Sequence, residues 1–365
     1  MPHVPEVENE SQLLEPVEPW LLASDGQAVR MAARLGVPPA SLALYARWWQ
    51  LESWLRELVY VELRARYGSR WEDVVRAASG RQSQDATYTH MQGPDTQNPL
   101  AYLDYSQIVS LIDENWDMFA YALLTKKAWD GRQEELKRIR HRIGHMRRPH
   151  PDDLGRLEQT LRDLERGTFV ALASYNDGET PDLDEHTDAV TRGWLRGEHE
   201  DAQRLISHAL RQYETRLILQ SSVRPWVPAG RRTGHGEGHL WHAEFFLRSR
   251  SVDAASLWYD TQIDSVRPLI VHMSCFDPYH IGFTFSGADD DEAVADAIGA
   301  VFDAVLMNAR VGITGFGDEL EQWRQSIRDV DFRLLVESGW MIVERATLPI
   351  SNFGSGGAVR SNPGW

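Results

Sequence analysis

Residues 38–68 read PPASLALYARWWQLESWLRELVYVELRARYG, and the fold class turns on this stretch. A Pro-Pro pair opens it, Ser41 can cap it and Gly68 can end it. Between them Leu44, Trp48, Leu51, Leu55 and Leu58 recur at spacings of four and three. At 3.6 residues per turn those positions return to one face, so they predict a long amphipathic helix.

Helices of the same kind follow. Residues 81–99 are polar, carry Gly93, Pro94 and Pro99, and read as a loop. DYSQIVSLIDENWDMFAYALL (104–124) opens with Asp104 and Gln107, the spacing of a capping box. Its stripe is Ile108, Leu111, Ile112, Trp116, Phe119 and Leu123. DGRQEELKRIRHRIGHM (130–146) has Asp130 as a cap, Leu136, Ile139, Ile143 and Met146 as its core stripe, and Pro149 as its breaker. PDDLGRLEQTLRDLERG (151–167) starts on Pro151, carries Leu154, Leu157, Leu161 and Leu164, and closes at Gly167. Long amphipathic helices with short connections predict an antiparallel bundle over 40–167.

Beyond it the pattern changes. Residues 168–219 read as a turn-rich connector followed by a charged helix with Leu205, Ile206, Leu210 and Leu217. After Pro225, HLWHAEFFLRSRS, PLIVHMSCF, YHIGFTFSG and GWMIVERATLPI have the β-branched and aromatic content of strands. DDDEAVADAIGAVFDAVLMNAR and GDELEQWRQSIRDVDFRLLVESG read as helices among them. The expected architecture is therefore α+β in two domains. Residues 1–39 form a flexible lead-in, 40–167 the helical bundle, 168–219 the connector, 220–350 a small α+β domain and 351–365 a Gly/Ser-rich tail that includes FGSGG.

Composition narrows the functional classes. The 365 residues carry a formal net charge of -16, which argues against nonspecific coating of nucleic acid. No run approaches the roughly 18 apolar residues of a membrane span, and the acidic, Pro-rich start lacks the regions of a signal peptide. One cysteine, Cys275, allows no intrachain disulfide and no Cys-based zinc site, and fits a cytoplasmic location. No cofactor is expected.

Against that acidic background RIRHRIGHMRRPH (138–150) contains no acid, five arginines and three histidines. On a helix Lys137, Arg140, His141, Gly144 and His145 share a flank beside the core stripe, with Arg138 and Arg142 further round. Arginine forks hold phosphate oxygens, and histidine exchanges a proton near neutrality. Together they suit phosphodiester chemistry without a metal. A basic helix face can equally be a solvated surface paired with acidic helices such as DDLGRLEQTLRDLERG.

Arg140, four intervening residues and His145 resemble the R-x4-6-H motif of HEPN-domain proteins, with His141 at the polar position after the arginine. The helices over 40–167 resemble the HEPN module of bacterial ribonucleases in order and spacing. The resemblance implies a dimerising helical bundle and a metal-independent endoribonuclease of the toxin or antiphage type. Two motif copies would meet at one site, and 2′-OH attack would leave a 2′,3′-cyclic phosphate. It implies Arg140 as the phosphate ligand, His145 as general base or acid, and His141 as a group that orients Arg140 or touches substrate. Lys137, Arg138, Arg142, Arg147 and Arg148 would hold the RNA backbone. An antitoxin or regulatory protein is the further partner implied. The alternative is an inactive HEPN module for dimerisation or for binding a ligand or protein.

Other groupings carry less. GRRTGHGEGHLWH holds His235, Glu237, His239 and His242, but without H-E-x-x-H spacing it reads as a loop before a strand. Arg231 and Arg232 in that loop could contact phosphate. Cys275 reads as a buried strand residue, ADDDEA as an acidic helix start, and Trp48 and Trp116 as core.

Overall fold

The helix predicted from the opening stretch runs Pro39–Tyr67 (α2) in a computed structural model, and Leu44, Trp48, Leu51, Leu55 and Leu58 are all buried. The structure describes residues 23–351 except 76–78, 92, 94, 185–186, 229–233, 312–317, 329, 337–338 and 341–349. Residues 1–22 of the lead-in, Arg231 and Arg232, most of GWMIVERATLPI and the tail from 352 lie outside the described residues. Ser41 falls inside α2 rather than capping it, because the helix already starts at Pro39. Gly68 does end it: its φ of +58° is left-handed, and a Cβ there would sit 2.3 Å from Asp289 Oδ1.

The helical part of the chain begins earlier than expected, with α1 at Ala23–Arg34 inside the lead-in. After α2 come a 3-10 turn at Gly68–Val74 and α3 at Ser79–Asp85, so the front of the expected loop is helical. Then follow α4 (Tyr105–Glu114), α5 (Trp116–Phe119), α6 (Lys126–Gly144) and α7 (Asp153–Asn176). The capping box is formed: Asp104 accepts from the Gln107 amide while Gln107 accepts from the Asp104 amide. Asp130 is not a cap, since α6 starts four residues before it and Asp130 accepts from Lys126 Nζ instead.

Gly167 does not close its helix. α7 continues to Asn176, burying Thr168, Ala171, Leu172 and Tyr175 in place of the expected connector. The glycine is there for close approach: a Cβ at Gly167 would lie 1.8 Å from the Ala122 carbonyl oxygen.

The charged segment that follows is helical only as far as Tyr213, through Thr191–Leu195, α8 (Ala202–His208) and a π turn at Ala209–Tyr213. Glu214 then turns left-handed at φ +49°, and β1 (Thr215–Val223) starts before Pro225 rather than after it. The remaining elements are β2 (His239–Leu247), β3 (Arg250–Val252), α9 (Ala254–Trp258), α10 (Thr261–Val266), β4 (Ile270–Asp277), β5 (His280–Ser286), α11 (Asp291–Asn308), β6 (Ala309–Val311), α12 (Asp318–Arg328), β7 (Leu334–Val336), β8 (Gly339–Trp340) and β9 (Ile350–Ser351).

Five strands form one sheet in the order β1-β2-β5-β4-β7, antiparallel except for the β4–β7 pair. Strand alternation puts Trp241, Ala243, Phe245, Phe283, Phe285, Met273 and Cys275 in the main apolar core with Ile298, Val301, Phe302 and Val305 of α11. Burial pushes the Cys275 thiol up and keeps it protonated. The chain is thus α+β, with a helical N-terminal region and a sheet-containing C-terminal region. Its contacts divide it into two compact units, Met1–Trp49 with Gln133–Glu158, and Gln50–Arg132 with Gln159–Trp365. No described helix is long and apolar enough to cross a membrane.

Candidate functional site

The first unit holds every residue of the basic stretch. Within it α6 and α7 run antiparallel, tied by Arg142 to Asp153 and by Arg156 to Glu135 at 2.6 Å. Leu136 and Ile139 of α6 and Leu157 of α7 are buried. Ile143 is only half-buried, and Met146 departs from the expected stripe altogether, being 92% exposed.

The reason is the way α6 ends. Its last turn closes with the Arg147 amide donating to the Arg142 carbonyl at 2.9 Å and the Met146 amide to the Ile143 carbonyl at 3.1 Å. This is a Schellman motif, with Met146 in the left-handed position usually taken by glycine, at φ +51°. A non-glycine residue there costs roughly 1–2 kcal/mol. The helix therefore stops at Gly144 by its own cap, ahead of Pro149.

His145 sits at that cap, and its ring stacks on His141 one turn earlier, 5.7 Å between centroids and 8° between planes. Both histidines are exposed, Arg140, next to His141 in the chain, is half-buried, and Lys137, Arg138, Arg147 and Arg148 are exposed. Among the described residues nothing lies within 4 Å of where a Cβ of Gly144 would stand, so no described helix needs its missing side chain.

Arg142 stands apart from the other arginines. Its Nε and Nη2 donate to the two Asp153 oxygens at 2.6 and 2.5 Å, and Asp153 also accepts from the His150 amide at 2.9 Å. Burial works against ionisation of Asp153, but the Arg142 fork and the His150 amide outweigh it and hold the carboxyl below its usual range. The guanidinium is spent on clamping the 145–152 loop, and the loop carries His145, Arg147 and Arg148.

The second unit contains a polar cluster that the sequence reading missed. Glu62 of α2 and Arg224 form a fully buried ion pair. Tyr121 and Trp226 donate to Glu62 at 2.5 and 2.6 Å, while Arg224 also donates to the Ala171 carbonyl and the Ser174 hydroxyl. Beside it, the second face of the sheet carries a row of polar side chains. Ser222 Oγ lies 2.7 Å from His242 Nε2, and His242 Nδ1 lies 3.1 Å from Thr284 Oγ1. Tyr175 donates to Thr284 at 2.9 Å and lies 2.8 Å from His272 Nδ1. Glu57 Oε1 stands 3.1 Å from His272 Nε2, close enough for an ion pair but out of line for a hydrogen bond. Burial raises the Tyr121 and Tyr175 hydroxyls far above the usual phenol range, so both remain donors.

Ser222 and His242 have the pairing of an activated nucleophile, but Ser222 is 1% exposed and sits in the sheet interior. The signal for this cluster was an acid, Glu62, within a run that is buried on every side. Helical periodicity alone could not separate that from an exposed charge.

The histidines of the 235–242 loop and strand turn to separate partners. His235 Nε2 meets the Asp289 carbonyl at 2.8 Å, and His242 joins the polar row. Among the described residues no group of three or more His, Cys, Asp or Glu could hold a metal ion. The acidic run 289–291 is a helix start, with Asp290 accepting from the Ala293 amide at 3.0 Å.

Comparison of the chain with protein-family models, with curated proteins and with solved structures gave no match.

Proposed function

We propose that the helical N-terminal region is a HEPN-like bundle and that the protein is a cytoplasmic, metal-independent endoribonuclease acting as a homodimer. The observation that carries this reading is the stacking of His145 on His141 at the exposed end of α6, the helix that also carries half-buried Arg140. In the proposed reaction the ribose 2′-oxygen attacks the adjacent phosphorus while His145 accepts its proton. The phosphorus–O5′ bond breaks, a second imidazole protonates the leaving oxygen, and a 2′,3′-cyclic phosphate and a 5′-hydroxyl result. Arg140 neutralises the charge that grows on the phosphoryl oxygens. A second copy brings another Arg140 and His145 to the same phosphate. Lys137, Arg138, Arg147 and Arg148 carry the RNA backbone, which makes binding salt-dependent. Arg142 supports the site indirectly, by holding the loop through Asp153.

The C-terminal region, in this reading, senses a trigger, selects the RNA or binds a neutralising partner. The test is cleavage of RNA in EDTA by the wild type and by Arg140→Ala and His145→Ala, each expected to fall by at least ~100-fold with the dimer intact. A purified protein that cuts nothing yet binds a protein or nucleotide tightly would instead support the inactive-module reading.

A further inference from the structure

The histidines of the sheet-containing region commit their rings to protein partners. His235 meets the Asp289 carbonyl, His239 the Gly236 carbonyl, His242 Ser222 and Thr284, His272 Tyr175, and His280 Glu244. His141 and His145 do not. Among the described residues neither ring has a hydrogen-bond or ion-pair partner, and the two stack on each other instead. Both residues are exposed, so their nitrogens are free to take and give protons.

The backbone sets their spacing. Residues one turn apart on a helix hold their Cβ atoms about 5–6 Å apart. The His145 amide still donates to the His141 carbonyl at 3.3 Å, so helical spacing persists to His145, and the left-handed turn at Met146 follows it. The result is two imidazoles 5.7 Å apart between centroids and within 8° of parallel.

Cleavage by 2′-oxygen attack needs two proton transfers at two separate oxygens. At near attack the 2′-oxygen stands about 3 Å from phosphorus and the 5′-oxygen is bonded on the far side, which puts the two oxygens about 5 Å apart. One group must take a proton at the first oxygen while another gives one at the second. Two nearly parallel rings 5.7 Å apart match that separation. A second copy's imidazole would have to be brought to that distance by the dimer interface, whereas α6 itself places His141.

We propose that His141 is the general acid of the reaction. As an imidazolium it gives its proton to the 5′-oxygen as the phosphorus–O5′ bond breaks. Neutral His145 takes the 2′-hydroxyl proton as the O2′–phosphorus bond forms. The pair ends with one proton, as it began, now on His145, and exchange with water resets it. The assignment rests on the ribonuclease reading and adds to it that one chain supplies both imidazoles.

The experiment uses the full-length protein in EDTA and two oligonucleotides, each with a single ribonucleotide. One has the ordinary 5′-oxygen at the scissile phosphate, and the other has sulfur in its place. A thiol ionises near pH 8.5, far below an alcohol, so the sulfur leaves as a thiolate and needs no acid. His141→Ala should cut the oxygen substrate at least ~100-fold more slowly than wild type and the sulfur substrate within about ten-fold of it. His145→Ala should be slow on both. Rescue by sulfur also shows that the His141→Ala variant is folded and binds its substrate, which a merely structural role would not give. Wild-type cleavage of the oxygen substrate by His141→Ala overturns the assignment and places the acid elsewhere. Equal loss on both substrates overturns it too, and so does rescue of His145→Ala by sulfur, which would exchange the roles. In each of these cases a wild type that cuts the oxygen substrate leaves the ribonuclease reading standing. A wild type that cuts neither substrate overturns both.

Discussion

Met146 is where the local sequence and the structure disagree most. Its spacing from Leu136, Ile139 and Ile143 fits a core stripe, yet it ends the helix in a left-handed conformation with its side chain in water. Periodicity is blind to this, because a helix keeps its pattern only while it remains a helix. Strain of that kind gathers at functional sites, and here it fixes the cap at which His145 stands. Met146→Gly should therefore stabilise the fold by about 1 kcal/mol, since glycine carries no penalty there and the lost side chain packs on nothing. Urea titration of both proteins reads the difference, and a destabilised glycine variant would mean that the methionine has a packing role. Glu62 and Arg224 show the opposite limit: a buried charge looks like an exposed one in sequence, and only its partners reveal it.

Among the elements, the amphipathic stripes were legible and the boundaries were not. The stripe of α2, the capping box of α4, the strands around Trp241 and Phe283, and the acidic start of α11 all follow from periodicity and capping. What failed was the use of glycine and acid as punctuation. Gly167 reads as a stop but serves as a contact, and Asp130 reads as a cap but serves as an ion-pair partner. In an exposed helix Gly167→Ala would stabilise by about 1 kcal/mol. Against the Ala122 backbone it should destabilise by about 3 kcal/mol, and thermal melting gives the sign directly. The α6–α7 corner makes a pH prediction. Asp153 titrates below its unfolded value of about 3.9, so its contribution is present above that pH and is lost as the pH falls through the folded value. Asp153→Asn should be less stable than wild type by ~2 kcal/mol at pH 7, and the gap should shrink as the pH falls below about 3.9. A gap that persists in acid would mean that the Arg142 pair is not its source.

For the whole molecule, composition gave an acidic chain, and the anomaly lay in where its positive charge was kept. The candidate site was legible as a cluster, because Arg140, His141 and His145 share a flank at helical spacing. The division of labour within it was not, since Arg142 differs from its neighbours only through Asp153, eleven residues on. Cleavage of RNA in EDTA by wild type, Arg140→Ala and His145→Ala, with the ends of the products identified, tests the central claim most directly. The account predicts 2′,3′-cyclic phosphate ends from wild type and at least ~100-fold less product from each variant, with folding and dimer unchanged. Undiminished cleavage by both variants, or a wild type that leaves RNA intact while binding it, would contradict the account.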